Sequence, residues 1–88
     1  DYDFCDIDSD GIDEIISIEI LEDNKKVINT YKWEGFGFEG FLQSRSYEDI
    51  KKLTVKKGII YVEVREKGKK YLGKLKIESN NIKIERVK

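Results

Sequence analysis

The sequence predicts a small, mainly β domain, with an antiparallel hairpin near the N-terminal end, a three-stranded meander at the C-terminal end and one short helix between them. Three observations predict it. β-Branched residues alternate with charged ones over most of the chain, short polar turn signals punctuate those stretches, and 88 residues provide for one modest core. No internal repeat, low-complexity tract or proline-rich linker divides the chain, so residues 1–88 are expected to form a single unit.

Residues 15–22 and 27–33 read as the hairpin, turning at Asn24-Lys25. That turn sets Ile20 opposite Asn29, Ile18 opposite Tyr31 and Ile16 opposite Trp33, which gathers the apolar side chains on one face. Segment 31–41 then concentrates aromatics with three glycines. It reads as core bulk, with Trp33 on the core face and the glycines permitting bends or bulges. The alternative is an exposed stacking platform for a sugar or a peptide, built from Trp33, Phe36 and Phe38.

In segment 46–53, Ser46 can cap, Glu48 and Asp49 suit a first helical turn, and Tyr47, Ile50 and Leu53 share one face. The spacing predicts a short helix. Residues 59–66 and 71–79 pair around Gly68-Lys69, and the chain continues to residue 87 through Asn80-Asn81. Val64 then meets Gly73, Val62 meets Leu75, and Ile60 meets Ile77, which meets Ile84. On the outward face Glu63 lies opposite Lys74, Lys76 opposite Glu85 and Glu78 opposite Lys83.

Charge is segregated along the chain: residues 1–24 hold ten acidic side chains and no basic one, while residues 51–88 hold thirteen basic and four acidic, at an overall net charge of -1. Because the outward strand charges pair with each other, no nucleic-acid partner is expected. Histidine is absent and Cys5 is the single cysteine, which excludes an internal disulfide and leaves no nucleophile and base pair. The chain is therefore expected not to be an enzyme, and Cys5 to be a small buried hydrophobe. No apolar run approaches the roughly 20 residues that span a bilayer. A chain that begins at Asp1 without methionine is expected to be a piece of a longer protein.

The stretch 6–14, Asp-Ile-Asp-Ser-Asp-Gly-Ile-Asp-Glu, carries the one nameable chemistry. Calcium wants six to eight oxygen ligands, which a chain supplies only by turning tightly around the ion. Asp6, Asp8 and Asp10 fall at positions one, three and five, Gly11 at six permits the bend, the Ile12 carbonyl can donate at seven, and Glu14 follows at nine. Without a cation these acids repel each other by roughly 1 kcal/mol per close pair in water, and by more where water is partly excluded. A helix-loop-helix calcium site would place a bidentate glutamate at position twelve. Ser17 stands there, and a β-branched run follows instead of a helix.

The pattern Asp-x-Asp-x-Asp-Gly-x-x-Glu followed by Ile15-Ile16 resembles the loop of FG-GAP and VCBS-type repeats, the calcium-binding repeats of integrin-like propellers and many bacterial surface proteins. The resemblance covers about the first 20 residues. It implies that the side chains of Asp6, Asp8, Asp10 and Glu14, with the carbonyl of Ile12, ligate calcium between two strands. One copy cannot build a propeller. The expectation is a non-catalytic, calcium-binding structural or adhesion module of an exported or cell-surface protein, with a protein or carbohydrate as a further partner. Millimolar extracellular calcium would fill even a weak site of this kind.

Overall fold

The computed structural model describes residues 2–87; Asp1 and Lys88, which the charge counts include, lie outside the described residues. Eight strands follow in order: β1 (Tyr2–Cys5), β2 (Glu14–Ile20), β3 (Lys26–Trp33), β4 (Phe38–Gln43), β5 (Asp49–Lys56), β6 (Ile59–Glu66), β7 (Lys69–Glu78) and β8 (Asn81–Arg86). They form two four-stranded antiparallel sheets, β1-β2-β3-β4 and β5-β6-β7-β8, each a meander in chain order. The buried faces of both sheets meet in one core, to which the first sheet contributes Cys5, Ile16, Ile28 and Leu42 and the second Ile50, Ile60, Val62, Val64, Ile82 and Ile84. Tyr47, in the crossing segment, completes it. β1 lies against β5 and β4 against β8, so the two sheets approach along both edges.

The expected hairpin and meander are present; the hairpin gains two neighbours and the meander one. β1 and β4 flank the hairpin, and β5 replaces the expected helix; among the described residues there is none. The Ile50 to Leu53 spacing that suggested a helical face has another cause. Lys51 pairs with Glu63 and Thr54 with Tyr61, so Lys52 and Leu53 together stand opposite one residue of β6. Lys52 has φ 58°, the left-handed conformation of a bulge. One extra residue restores the core face at Leu53, which mimics a three-residue helical step.

The expected register of the first hairpin is corrected by three residues. Ile20 pairs with Lys26, Ile18 with Ile28 and Ile16 with Thr30. Instead of a two-residue turn, residues 21–25 form a wider loop in which the Asn24 N–H donates to the Leu21 carbonyl at 3.0 Å and the Leu21 N–H to the Lys25 carbonyl at 2.8 Å. An odd shift exchanges the faces of a strand. Ile28 and Thr30 therefore enter the core, and Trp33, expected there, faces outward.

The second sheet shifts by two and keeps its faces. Val62 meets Gly73, Val64 meets Tyr71, Leu75 meets Ile84 and Ile77 meets Ile82. The turns lie one residue earlier than expected, at Lys67-Gly68 and Ser79-Asn80, with a third at Lys57-Gly58. All six turn residues have positive φ, between 47° and 75°. Two-residue loops of that kind match the right-handed twist of the flanking strands. The outward charges consequently pair differently: Glu63 faces Leu72, Lys74 faces Glu85, Lys76 faces Lys83 and Glu78 faces Asn81. Lys76 still reaches Glu85 diagonally at 3.5 Å.

Three contacts hold the crossing segment and the start of β5 to β3. Lys26 and Tyr47 exchange backbone hydrogen bonds of 2.9 and 2.8 Å. The Ser44 hydroxyl accepts from the Ile28 N–H at 2.9 Å, and the Lys26 ammonium meets Asp49 at 2.5 Å.

Candidate metal centre

β1 and β2 pair from Tyr2↔Ser17 to Cys5↔Glu14, and residues 6–13 form their connection. Strand pairing thus clamps both ends of the acidic loop. Within it the aspartates turn the chain by taking backbone hydrogens: Asp6 accepts from the Asp10 N–H at 3.1 Å and the Gly11 N–H at 2.8 Å, and Asp10 accepts from the Ile12 N–H at 2.9 Å. Gly11 has φ 85°, which only glycine adopts without strain. Short acidic side chains that bond a backbone N–H a few residues on are what bends such a loop.

This folding brings together one carboxylate oxygen from each of Asp6, Asp8, Asp10 and Glu14, all within 4.8 Å of one another. These are the four side chains singled out in the sequence. Ile12 lies in the same loop with an exposed side chain. Asp13 is not part of the group.

Glu14 differs from the aspartates. It opens β2 on the core face and is 0% exposed. Its Oε1 accepts from the Ile7 N–H at 2.9 Å, whereas its Oε2 is buried with no hydrogen-bond partner. Burial pushes its pKa up, the Ile7 N–H opposes that, and repulsion from Asp8, Asp10 and Asp6 adds to the rise. A buried carboxylate oxygen without a donor is costly, and a bound cation is one of the few groups that relieve it.

Lys32 was not a candidate from the sequence. Its ammonium lies 2.5 Å from Asp8 Oδ2 and 3.1 Å from Asp10 Oδ2, and 5.0 Å from the centre of the Phe41 ring. The hydrogen bond from Lys32 holds the Asp8 pKa down, and the same two carboxylates push the Lys32 pKa up. The residue is one step beyond the Ile15↔Tyr31 pair, so the corrected register points straight to it. Nothing in the loop motif does.

The aromatic segment departs from its expected burial. Trp33 is 43% exposed and Phe36 85%, and Phe38 and Phe41 are exposed as well. Trp33 and Phe38 are cross-strand partners whose rings meet edge to face at 5.2 Å. The Glu34 N–H donates to the Gly37 carbonyl at 2.9 Å and closes the turn that lifts Phe36 into solvent. A bulge explains Phe41 and Leu42: both stand opposite Thr30, whose hydroxyl donates to the Leu42 carbonyl at 3.0 Å and accepts from its N–H at 2.8 Å.

Beside these rings, the outward face of β2 and β3 holds a polar hub that the sequence did not announce. Glu19 accepts from the Tyr31 hydroxyl, from the Ser17 hydroxyl at 2.8 Å and from the Asn29 amide at 2.6 Å. Partial burial alone would raise the Glu19 pKa, but the three donors outweigh it and the net shift is downward. Cys5, as expected, is buried; desolvation first, then the charges of Asp13, Asp6, Glu14 and Asp3, push its thiol pKa up. A thiol so placed is a poor nucleophile.

No protein-family model matches this chain, and neither a curated protein nor a solved structure matches it. Among the described residues no helix is long and apolar enough to cross a membrane.

Proposed function

We propose that the chain is a calcium-binding, non-catalytic structural or adhesion module of an exported or cell-surface protein, with Asp6, Asp8, Asp10, Glu14 and the Ile12 carbonyl as ligands. The partnerless Glu14 Oε2, buried beside three aspartate carboxylates, carries this reading. A solvated acidic turn has no reason to bury a carboxyl oxygen without a partner. Hard carboxylate and carbonyl oxygens with no nitrogen or sulfur donor suit calcium over softer metals. The loop joins two paired strands, so the ion's role is to hold the β1-β2 connection in shape. On this reading the loop is of the FG-GAP and VCBS kind, with the likeness confined to the loop and the strand after it.

Calorimetric titration with calcium tests the proposal. Wild-type protein is expected to bind, and its melting temperature to rise with calcium. Asp10→Ala is expected to lose both effects. No heat up to millimolar calcium, or a calcium-dependent melting shift that survives Asp10→Ala, would sink it.

A second reading draws on the exposure of Trp33, Phe36 and Phe38. These rings, beside the Glu19 hub, support a carbohydrate- or peptide-binding face in which the acidic loop serves only as a turn. Quenching and spectral shift of Trp33 fluorescence on adding an oligosaccharide series distinguishes it. An unmoved spectrum across sugars and peptides would remove this alternative.

A further inference from the structure

The loop already contains a cation. Lys32 places one ammonium against two of the four clustered carboxylates, at 2.5 and 3.1 Å, and reaches them from β3, outside the motif. We propose, resting on the calcium reading above, that Lys32 is the resident counter-ion of the site: it holds the loop in the ion-free state and is displaced when a divalent cation binds.

The geometry sets the two occupants in competition for the same two carboxylates. Calcium takes carboxylate oxygens at about 2.3–2.6 Å. A divalent ion shared by Asp8 and Asp10 would therefore sit close to an ammonium on those same groups and in like-charge repulsion with it. The ammonium is also an incomplete substitute. It contacts the two outer aspartates, while Asp6 is occupied by backbone N–H groups and Glu14 Oε2 stays without a partner. Lys32 thus neutralises the exposed side of the cluster and leaves its buried side without a counter-charge. The Phe41 ring, 5.0 Å from the ammonium, offers the displaced group a nearby resting surface.

Two consequences follow. Because Lys32 suppresses repulsion between Asp8 and Asp10, the ion-free loop is pre-formed, and binding does not have to order it from a random coil. Because calcium must first displace Lys32, the site fills at a higher ion concentration than its carboxylate count alone implies. A lysine on a neighbouring strand therefore sets the threshold for binding.

The test compares calcium chloride titrations of wild type, Lys32→Met and Lys70→Met, the last an exposed lysine whose loss changes net charge equally. Lys32→Met is expected to bind about five- to tenfold more tightly. Lys70→Met is expected to match wild type. On wild type, the NMR signal of the Lys32 side-chain methylene next to nitrogen should shift during the titration, in step with the loop carboxylates. That measurement decides alone if Lys32→Met fails to fold. Equal affinity in Lys32→Met and wild type, or a stationary Lys32 signal in calcium-saturated protein, would overturn the displacement while leaving the site standing. Silence in all three titrations would remove the site, and the role of Lys32 with it.

Discussion

The two sheets use the same meander to opposite ends. In β5-β6-β7-β8 every connection is a two-residue turn with both residues at positive φ, and the core face is Ile50, Ile60, Val62, Val64, Ile82 and Ile84. In β1-β2-β3-β4 no connection is that short, and one residue of the inner face is a glutamate with a partnerless oxygen, while each sheet carries one bulge, in β4 and in β5. The tightly turned sheet is a support. The one with long connections uses them for an acidic cluster and for rings lifted into solvent, which the core it shares with its neighbour keeps in place.

If both sheets contribute equally to that core, Ile16→Ala and Ile60→Ala should each cost about 2–5 kcal/mol. Chemical denaturation of the ion-free protein measures this. A much smaller loss for Ile16→Ala would mean that the first sheet relies on its loop and not on packing. Glycine substitutions sharpen the contrast. A Cβ at Gly73 would sit 2.3 Å from the Ile84 side chain, whereas one at Gly40 meets nothing within 4 Å. Gly73→Ala is expected to cost about 1–3 kcal/mol through overpacking, and Gly40→Ala to change melting little.

Two carboxylates respond to pH in opposite senses, one inside the first sheet and one bridging the two sheets. Glu14 has a raised pKa, so its ionisation penalty is absent in acid and grows as pH rises through the folded-state value. Glu14→Gln should remove that slope and abolish the calcium response. Asp49 is the reverse case. The Lys26 hydrogen bond holds its pKa down, so its contribution is present above about pH 4 and is lost as pH falls through the folded-state value. Asp49→Asn should therefore blunt acid denaturation, and at neutral pH cost less than about 1 kcal/mol. Thermal melts across pH 2–8 report both slopes; like signs would break the comparison.

What the sequence revealed follows from parity. Strand side chains alternate with period two, so the C-terminal register could be wrong by two residues and still deliver Val62, Val64, Ile82 and Ile84 to the core. The first hairpin was wrong by three, and that odd number exchanged the faces of β3, moving Trp33 out and Thr30 in. The segment around Ile50 failed for a related reason, since a strand with one bulge and a helix both place Ile50 and Leu53 on one side. The loop fared better. Its aspartates bond backbone groups no more than five residues away, and such local geometry is written in local sequence. Lys32 lies 24 residues from Asp8 along the chain, and only a correct strand register could have put the two together.

Cys5 closes β1 one residue before the loop begins, with its thiol 3.8 Å from the carbonyl of Gly58 in the turn between β5 and β6. Reagent can reach that buried sulfur only when the packing around β1 opens. The rate at which the lone thiol is alkylated is therefore a built-in clock for the breathing of the loop's upstream anchor, and it needs no engineered label.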